Sequence, residues 1–260
     1  MTITLTQAIF IGLWAGFCLV GQLWGIYTNR SLILALGVGL ILGDVQTALA
    51  IGAISEIAFM GFGVGAGGTV PPNQLGPGII GTLMAITLKG SGMDTATALA
   101  LSFPFAVAFQ FLITLAYTAI SGTSAWATKA LQNGNFKKFK LISNITIYAF
   151  FVIGFVIGFG SAISMESAQV IVNAIPKWLI TGFSVAGGML PAIGFAMILN
   201  VMAKKEYVAF VVLGYVCVAY LKLPVMGIAF VALIFALYDY YTNKGNGDSQ
   251  QEQEVVEDGI

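Results

Sequence analysis

The sequence predicts an all-α polytopic membrane protein with broken or re-entrant helices and an internal structural repeat. Of its 260 residues, 58% are hydrophobic and 8% are charged, and the mean hydropathy is +0.92. Soluble domains carry about 25% charged residues. Several apolar runs are long enough to cross about 30 Å of hydrocarbon. Others are too short to cross it and are interrupted by glycine and proline, a pattern typical of broken helices in transporters.

The first half of the predicted membrane domain, residues 1–120, combines spanning and half-spanning segments. Leu5–Tyr27 has the length of a full span, whereas Leu32–Gly43 is too short. Ala48–Val64 follows, and after a polar interruption comes a second short run, Ile79–Leu88. Thr95–Ile120 is a full span with a proline inside it. Because proline removes a backbone hydrogen bond, this helix is predicted to bend.

The second half, residues 141–241, is joined to the first by a basic loop at residues 121–140. Four lysines lie in this loop, and the positive-inside rule places it in the cytoplasm: Lys129, Lys137, Lys138 and Lys140. Leu141–Ile163 spans the membrane, and Thr181–Asn200 is predicted to be interrupted by glycines and a proline. The two halves form one membrane domain, residues 1–241, and the acidic tail 242–260 is predicted to be disordered.

The stretch GAGGTVPPNQLGPGIIG at residues 65–81 is the most informative interruption. Its glycines and prolines cannot propagate a helix, and short apolar runs on both sides keep it near the membrane. Irregular backbone is tolerated there only when it lines a cavity or is buried in protein. Three side chains supply a hydroxyl and two amides, groups that suit a neutral polyol: Thr69, Asn73 and Gln74. An exposed loop with ordinary turn chemistry is the alternative.

A near-repeat of this stretch occurs in the second half of the chain. AGGTVP at residues 66–71 is matched by AGGMLP at residues 186–191. Either the match is chance in a biased composition, or two repeats each break a helix at bilayer depth to build a binding site. On the second interpretation the breaks act as hinges at Gly67, Gly68, Pro71, Pro72, Gly187, Gly188 and Pro191.

Three further side chains are candidates for substrate binding. Glu56 lies inside an apolar run, where a charge costs on the order of 2.5 to 3.5 kcal/mol. It either faces a water-filled cavity or bonds two helices together. Asp44 precedes a helical run and either caps that helix or contacts the ligand. Gln22, beside Trp24, is either an interhelical hydrogen-bonding group or a sugar-binding platform. Gln110, in the Thr95–Ile120 span, is assigned to hydrogen bonding between helices ahead of substrate contact.

Composition argues against covalent chemistry on this chain. There is no histidine, and the two cysteines, Cys18 and Cys217, are far apart in apolar runs. We therefore predict no catalytic residue, no metal site and no cofactor, and no nucleic-acid partner is expected.

Two blocks of the sequence resemble a known transporter family. GLILGDVQTALAIGAISEIAFMGFGVGAGGTVPP, residues 39–72, resembles the signature of the IIC permeases of the mannose, fructose, sorbose and N-acetylgalactosamine phosphotransferase family. The shared features are a GLxLGD step, a threonine three residues later, a glutamate twelve residues after the aspartate, and a proline pair. VAGGMLPAIGFAMIL, residues 185–199, is similar to a second block. Ala48 and Ala53 depart from the family, in which glycines are frequent there.

The resemblance implies a sugar-translocating subunit in a bacterial inner membrane. It implies a IID membrane partner, a larger oligomer of IIC–IID pairs, and phosphorylation of the delivered hexose by cytoplasmic IIB and IIA proteins. It also implies an elevator-like motion with glycine-rich hinges. Overall similarity points to N-acetylgalactosamine or galactosamine as the substrate. The alternatives are an ion-coupled secondary transporter using Asp44 and Glu56, and a structural scaffold subunit of a membrane complex.

Overall fold

The computed structural model describes residues 3–60, 72–91, 93–165, 167, 170, 176–202 and 207–257. Within these ranges the regular structure is helical. Three stretches are long and apolar enough to cross a membrane: Thr95–Gln132, Phe136–Ile163 and Lys177–Asn200. The chain divides into two compact units, residues 1–201 and 202–260. The all-α membrane architecture predicted from the sequence is confirmed.

Helix α1, Leu5–Gly21, packs along helix α8, Ile145–Ile163. A capping box formed by Thr4 and Gln7 starts α1. Small residues then let the two backbones approach closely, since a Cβ at Gly16 would lie 2.8 Å from the carbonyl oxygen of Phe151. A Cβ at Gly154 would lie 2.7 Å from the backbone of Gly16. Small-residue seams of this kind are how membrane helices gain packing contacts.

Helices α2, Ser31–Leu42, and α3, Val45–Phe59, form a tight hairpin. Gly43 ends α2 with φ of 80°, the left-handed conformation that glycine adopts without a steric penalty. The two helices meet through small residues, since a Cβ at Gly52 would lie 2.8 Å from that of Ala35. The hairpin is therefore a compact, closely packed unit with one end at Gly43 and the other at the start of α2.

A short, fully buried helical segment follows the polar interruption. It begins as a π-helical turn, Gly76–Gly81, and continues as α4, Thr82–Thr87. A single 3₁₀ turn, Lys89–Ser91, ends it. The turn packs against α2 and against helix α5, Thr95–Ser121; a Cβ at Gly78 would lie 2.6 Å from Leu34. This half-length buried helix matches the short run expected from the sequence.

Helix α5 runs without interruption through Pro104. The residues after it differ from the expected loop, because they form α6, Thr123–Gln132, and α7, Phe136–Ser143. Lysine and alanine are good helix formers, and Asn135 caps α7 by accepting a hydrogen bond from the Lys138 amide. The predicted loop at residues 121–140 is therefore mostly helical.

Helix α9, Lys177–Met202, also runs continuously through Gly187, Gly188 and Pro191. The expected interruption of this segment is wrong. A proline removes one hydrogen bond, which the long apolar helix on either side tolerates. The glycines do not mark a break. Gly187 lies against the carbonyl oxygen of Ala96 and Gly194 against that of Ile57, so at these two positions glycine permits close packing.

The unit at residues 202–260 contains helices α10, Val208–Ala219, and α11, Val225–Glu257. Helix α11 extends well beyond Thr242, where the sequence predicts disorder. Its C-terminal part is rich in glutamine and glutamate, residues with high helix propensity, which accounts for the difference.

Candidate functional site

The first turn of α2 is held by side chains from two other segments. The residue before it, Arg30, makes no side-chain cap. Instead, the Ser31 amide donates to Oε1 of Gln74 at 2.7 Å, and the Leu32 amide donates to Oε2 of Glu56 at 3.3 Å. The first amides of a helix need such partners and attract negative charge. Two predicted site residues therefore meet at one helix terminus.

Arg30 completes this group by pairing with Glu56. Its guanidinium donates from Nε and from a terminal nitrogen to Oε1 of the carboxylate. The Arg30 side chain is 42% exposed and that of Glu56 is 17% exposed, so the pair lies at the boundary between the protein interior and the outside. A planar guanidinium beside a partly buried carboxylate stabilises its charge and leaves donors for a ligand. Arg30, Ser31, Glu56 and Gln74 are called the α2-start cluster below.

Asn73 connects the same region to helix α5. Its Oδ1 accepts the amide of Leu75 at 3.0 Å, its Nδ2 donates to Oε1 of Gln110 at 3.2 Å, and its own amide donates to the carbonyl of Ala106 at 2.9 Å. The bonds to Gln110 and Ala106 hold Asn73 against α5, and the bond from Leu75 shapes the turn within the segment. Gln110 therefore bonds a residue outside its own helix, although its partner Asn73 lies in the segment before the π-helical turn and not, as the sequence predicts, in a second helix.

A groove of about 280 Å³ opens beside this connection. Its lining combines polar side chains with proline and aromatic surface: Pro72, Val107, Gln110, Phe111 and Thr114. The two polar side chains come from successive turns of α5, and Thr114 bonds the carbonyl of Gln110 at 2.9 Å. The groove is thus bounded by the residue before Asn73 on one side and by α5 on the other.

Gln22 lies at the end of α1 and joins the α2-start cluster indirectly. Its Oε1 accepts a hydrogen bond from Nδ2 of Asn29 at 3.0 Å. Asn29 immediately precedes Arg30 in the chain. Trp24, the proposed platform beside Gln22, is 53% exposed. The structure shows Gln22 bonded to Asn29, and its role in sugar binding stays a prediction.

Asp44 is not part of this group. It caps α3, accepting the Thr47 amide at 3.1 Å and the Thr47 hydroxyl at 2.8 Å, and pairs with Lys89 at 3.0 Å. The hydrogen bonds from Thr47, together with Lys89, lower the pKa of Asp44 from its ordinary value of 3.8 to about 2. The rise of α3 separates Asp44 from Glu56 by about 18 Å. The two carboxylates therefore do not share a binding site, and capping is the role that the structure shows for Asp44.

Several predicted residues lie outside the described part of the chain. These are Thr69, Gly67, Gly68 and Pro71. Arg30 and Ser31 are the two members of the cluster that sequence reasoning missed; Ser31 carries no signal of its own, whereas Arg30 does. It is the chain's single arginine and stands at the end of an apolar run, which was the available signal. Among the described residues, no group of three or more His, Cys, Asp or Glu side chains could hold a metal ion.

Residues 5–238 match the family described as "PTS system sorbose-specific iic component". The chain belongs to this family. It is therefore a sugar-specific IIC permease component of a phosphotransferase system, as the resemblance of its two sequence blocks implied. The family comprises transport components, and the apolar spans of this IIC chain agree with an integral membrane protein.

Curated relatives cover most of the chain. The N-acetylgalactosamine permease IIC component 1 of Escherichia coli (strain K12) is 32% identical over 87% of this IIC chain and 84% of its own length. The sorbose-specific EIIC component of Lacticaseibacillus casei is 29% identical over 95% and 91%, respectively. The mannose-specific EIIC component of Escherichia coli (strain K12) is 27% identical over 91% and 89%.

Two solved structures have the same fold. One is described only as the structure of a membrane protein; it superposes with a TM-score of 0.81 at 26% identity and covers 92% of this chain and 96% of its own. The other belongs to a complex of the mannose transporter ManYZ with microcin E492, with a TM-score of 0.56 at 26% identity over 93% and 97%. Both span nearly the whole IIC chain.

Proposed function

We propose that this IIC chain binds a hexose or amino-hexose at the α2-start cluster and carries it across the bacterial inner membrane. The observation that supports this most is the meeting of Glu56 and Gln74 at the first amides of α2, beside Arg30. A carboxylate, a guanidinium and a carboxamide offer both acceptors and donors, which matches the hydroxyl groups of a sugar.

N-acetylgalactosamine or galactosamine is the proposed substrate. The support is the 32% identity to a permease component for N-acetylgalactosamine over most of both chains. Asn73 and Gln74 directly follow Pro72, which lines the groove next to α5, and Thr69 belongs to the same polar stretch of the sequence. We assign Glu56, Asn73, Gln74 and Thr69 to contacts with the sugar hydroxyls.

The proposed partners are a IID membrane subunit, with which IIC forms pairs in a larger oligomer, and cytoplasmic IIB and IIA proteins that phosphorylate the sugar. The relation to a mannose transporter complex supports a membrane partner. The IIC chain has no histidine, so a phosphohistidine relay would have to lie on other chains. Transport itself is proposed to occur by an elevator-like motion, with hinges at Gly67, Gly68, Pro71 and Pro72; the continuous helix α9 removes Gly187, Gly188 and Pro191 from the expected hinges.

The site is tested with Glu56→Gln and Asn73→Ala in the full chain, expressed with its membrane partner. Loss of the carboxylate removes a charge-assisted acceptor, so sugar binding should weaken roughly ten- to hundredfold. Asn73→Ala should reduce sugar affinity by a smaller factor, because the Asn73 carboxamide is uncharged and forms only neutral hydrogen bonds. Binding is measured by isothermal titration with N-acetylgalactosamine, and uptake with the radiolabelled sugar.

Asn133→Ala is the matched control, because Asn133 lies in the exposed turn after α6. It should bind the sugar like the parent. Unchanged binding in folded Glu56→Gln and Asn73→Ala proteins would show that the site assignment is wrong. Uptake that survives loss of the phosphoryl relay but stops without a proton gradient would point to an ion-coupled transporter instead.

A further inference from the structure

Buried hydroxyls without a hydrogen-bond partner are rare enough to need an explanation. Within the described ranges, the hydroxyls of Ser31, Ser55 and Thr82 are buried with no partner, as is Oδ1 of Asn29. All three hydroxyl-bearing residues are fully buried. Leaving such a group unpaired costs about 1–3 kcal/mol. A ligand that completes the hydrogen bonds is one explanation for such a group, and it applies where the group lies at a candidate binding site.

Ser31 differs from the other two because of where it lies. Its backbone nitrogen is 2.7 Å from Oε1 of Gln74, and covalent geometry keeps its Oγ within about 4 Å of that nitrogen. The next amide along, that of Leu32, bonds Glu56. The unpaired hydroxyl therefore lies at the α2-start cluster, at the N-terminus of a helix of 12 residues.

A second unpaired atom lies two residues earlier. Asn29 uses its Nδ2 to reach Gln22, and its Oδ1 is buried with no described partner. Asn29 and Ser31 thus flank Arg30, whose guanidinium bonds Glu56. The two unsatisfied polar atoms thus belong to the two residues next to Arg30 in the chain, which pairs with Glu56.

We propose that the Ser31 hydroxyl and Asn29 Oδ1 contact the transported sugar and select for a donor group on it. This inference rests on the proposed function. Asn29 Oδ1 can only accept, so the ligand must present an O–H or N–H there. Ser31 Oγ both donates and accepts, which suits a second hydroxyl. An inorganic anion, which only accepts, does not fit Asn29. The ligand class is a neutral polyol, with or without an amide N–H.

The test uses a substitution that should lower sugar affinity without lowering the stability of the protein. Ser31→Ala removes a hydroxyl that has no protein partner, so the melting temperature of the ligand-free complex should stay unchanged or rise. If the hydroxyl bonds the sugar, affinity for N-acetylgalactosamine should fall roughly two- to tenfold. A residue that only supports the fold would not lower affinity while leaving stability intact.

Thr82→Val is the matched control. It also deletes a buried, unpaired hydroxyl, but in α4, about 12 Å of helix rise beyond Gln74. It should leave sugar affinity unchanged. If Ser31→Ala binds like the parent, or if both variants lose affinity equally, the proposal is overturned. Measuring the effect of Ser31→Ala on affinity for both galactose and N-acetylgalactosamine shows whether the lost contact involves the acetamido group.

Failure of the proposed function gives a different result. In that case the parent complex does not bind N-acetylgalactosamine, mannose or galactose at all, and no variant can change the affinity. If Glu56→Gln abolishes binding and Ser31→Ala does not alter it, the sugar site stands and only the role of Ser31 is wrong.

Discussion

A guanidinium next to a carboxylate changes what Glu56 can offer a ligand. With Arg30 and the Leu32 amide as partners, both carboxylate oxygens already accept a hydrogen bond. Each carboxylate oxygen has a second lone pair, so a sugar hydroxyl can still donate to Glu56. Arg30 meanwhile has further N–H groups in a fixed plane. A single polyol ligand can thus bond to both members of the pair without breaking it.

Asp44 gives a prediction of pH dependence. Its pKa falls from 3.8 to about 2 in the folded protein, first through its hydrogen bonds with Thr47. Because the folded pKa lies below the unfolded one, the stabilisation is fully present above about pH 4. It is lost as the pH falls through 2. The melting temperature of the purified protein should decline over this window.

Asp44→Asn separates the two roles of this side chain. Asparagine still caps a helix, but it cannot form an ion pair with Lys89. Because the Lys89 side chain is 61% exposed, losing the ion pair should lower the free energy of unfolding at neutral pH by less than about 1 kcal/mol. The part of the stability loss between pH 4 and 2 that comes from protonation of Asp44 should be absent in the variant. An identical acid dependence in the parent and in Asp44→Asn would contradict the assignment.

At the scale of elements, α9 supports the end of α3. Gly194 lies against the carbonyl oxygens of Ile57 and Ala58, and Leu190 packs in the small cluster that includes Ala58 and Phe59. Near the N-terminal end of α9, Ser184 donates to Oδ2 of Asp94 at 2.8 Å. Helix α9 thus contacts Ile57, the residue that directly follows Glu56.

Gly194→Ala should therefore push α9 away from α3. Its new methyl group would collide with backbone, which cannot give way as a flexible side chain can. We expect a lower melting temperature and, through displacement of the Ile57 turn, weaker sugar binding. Gly188→Ala is the control on the same helix, because a methyl group there meets open space. It should be neutral or stabilising by up to about 1 kcal/mol. Equal effects of the two substitutions would rule out this packing role.

Sequence reasoning located the helices better than their contacts. Run lengths predicted α5 to within a residue of its observed end and identified α2 as a helix too short to span the membrane. Periodicity and composition act locally, so they give element length. The bond from Ser31 to Gln74 joins residues 43 apart and leaves no local signature. Arg30 was missed for the same reason, since its partner lies 26 residues away.

The glycine block in α9 shows a different limit of sequence reasoning. Glycine in an apolar helix serves either to break it or to let another backbone come close. AGGMLP has the composition of a break, but Gly187 and Gly194 make close contacts within a continuous helix. Only the neighbouring elements distinguish the two uses.

At the scale of the whole molecule, large apolar side chains remain exposed along the long helices. Phe111 on α5 is 64% exposed and Val156 on α8 is 60% exposed. Soluble monomers rarely expose contiguous apolar surface on this scale. A lipid bilayer supplies the apolar surroundings that such surfaces require.

The orientation of the chain can be tested through its lysines. Helices α6 and α7 contain the cluster at residues 129–140, which the positive-inside rule places in the cytoplasm. Cys18 and Cys217 are buried, so a variant in which both are alanine provides a background for labelling. Lys138→Cys in that background should react with an impermeant maleimide in inside-out vesicles and not in intact cells. Gly90→Cys, in the 3₁₀ turn after α4, is a second reporter with open space around it. Labelling of Lys138→Cys in intact cells would reverse the predicted orientation.

The start of α2 has a consequence for how motion could be followed. Its first two amide protons are held by side chains from α3 and from the segment before the π-helical turn, and not by its own N-cap residue. Any movement that separates these segments frees both protons for exchange with solvent, while the protons deeper in α2 stay protected. The rate of deuterium uptake at the Ser31 and Leu32 amides therefore reports how often these three chain segments separate. The measurement needs no label attached to the protein.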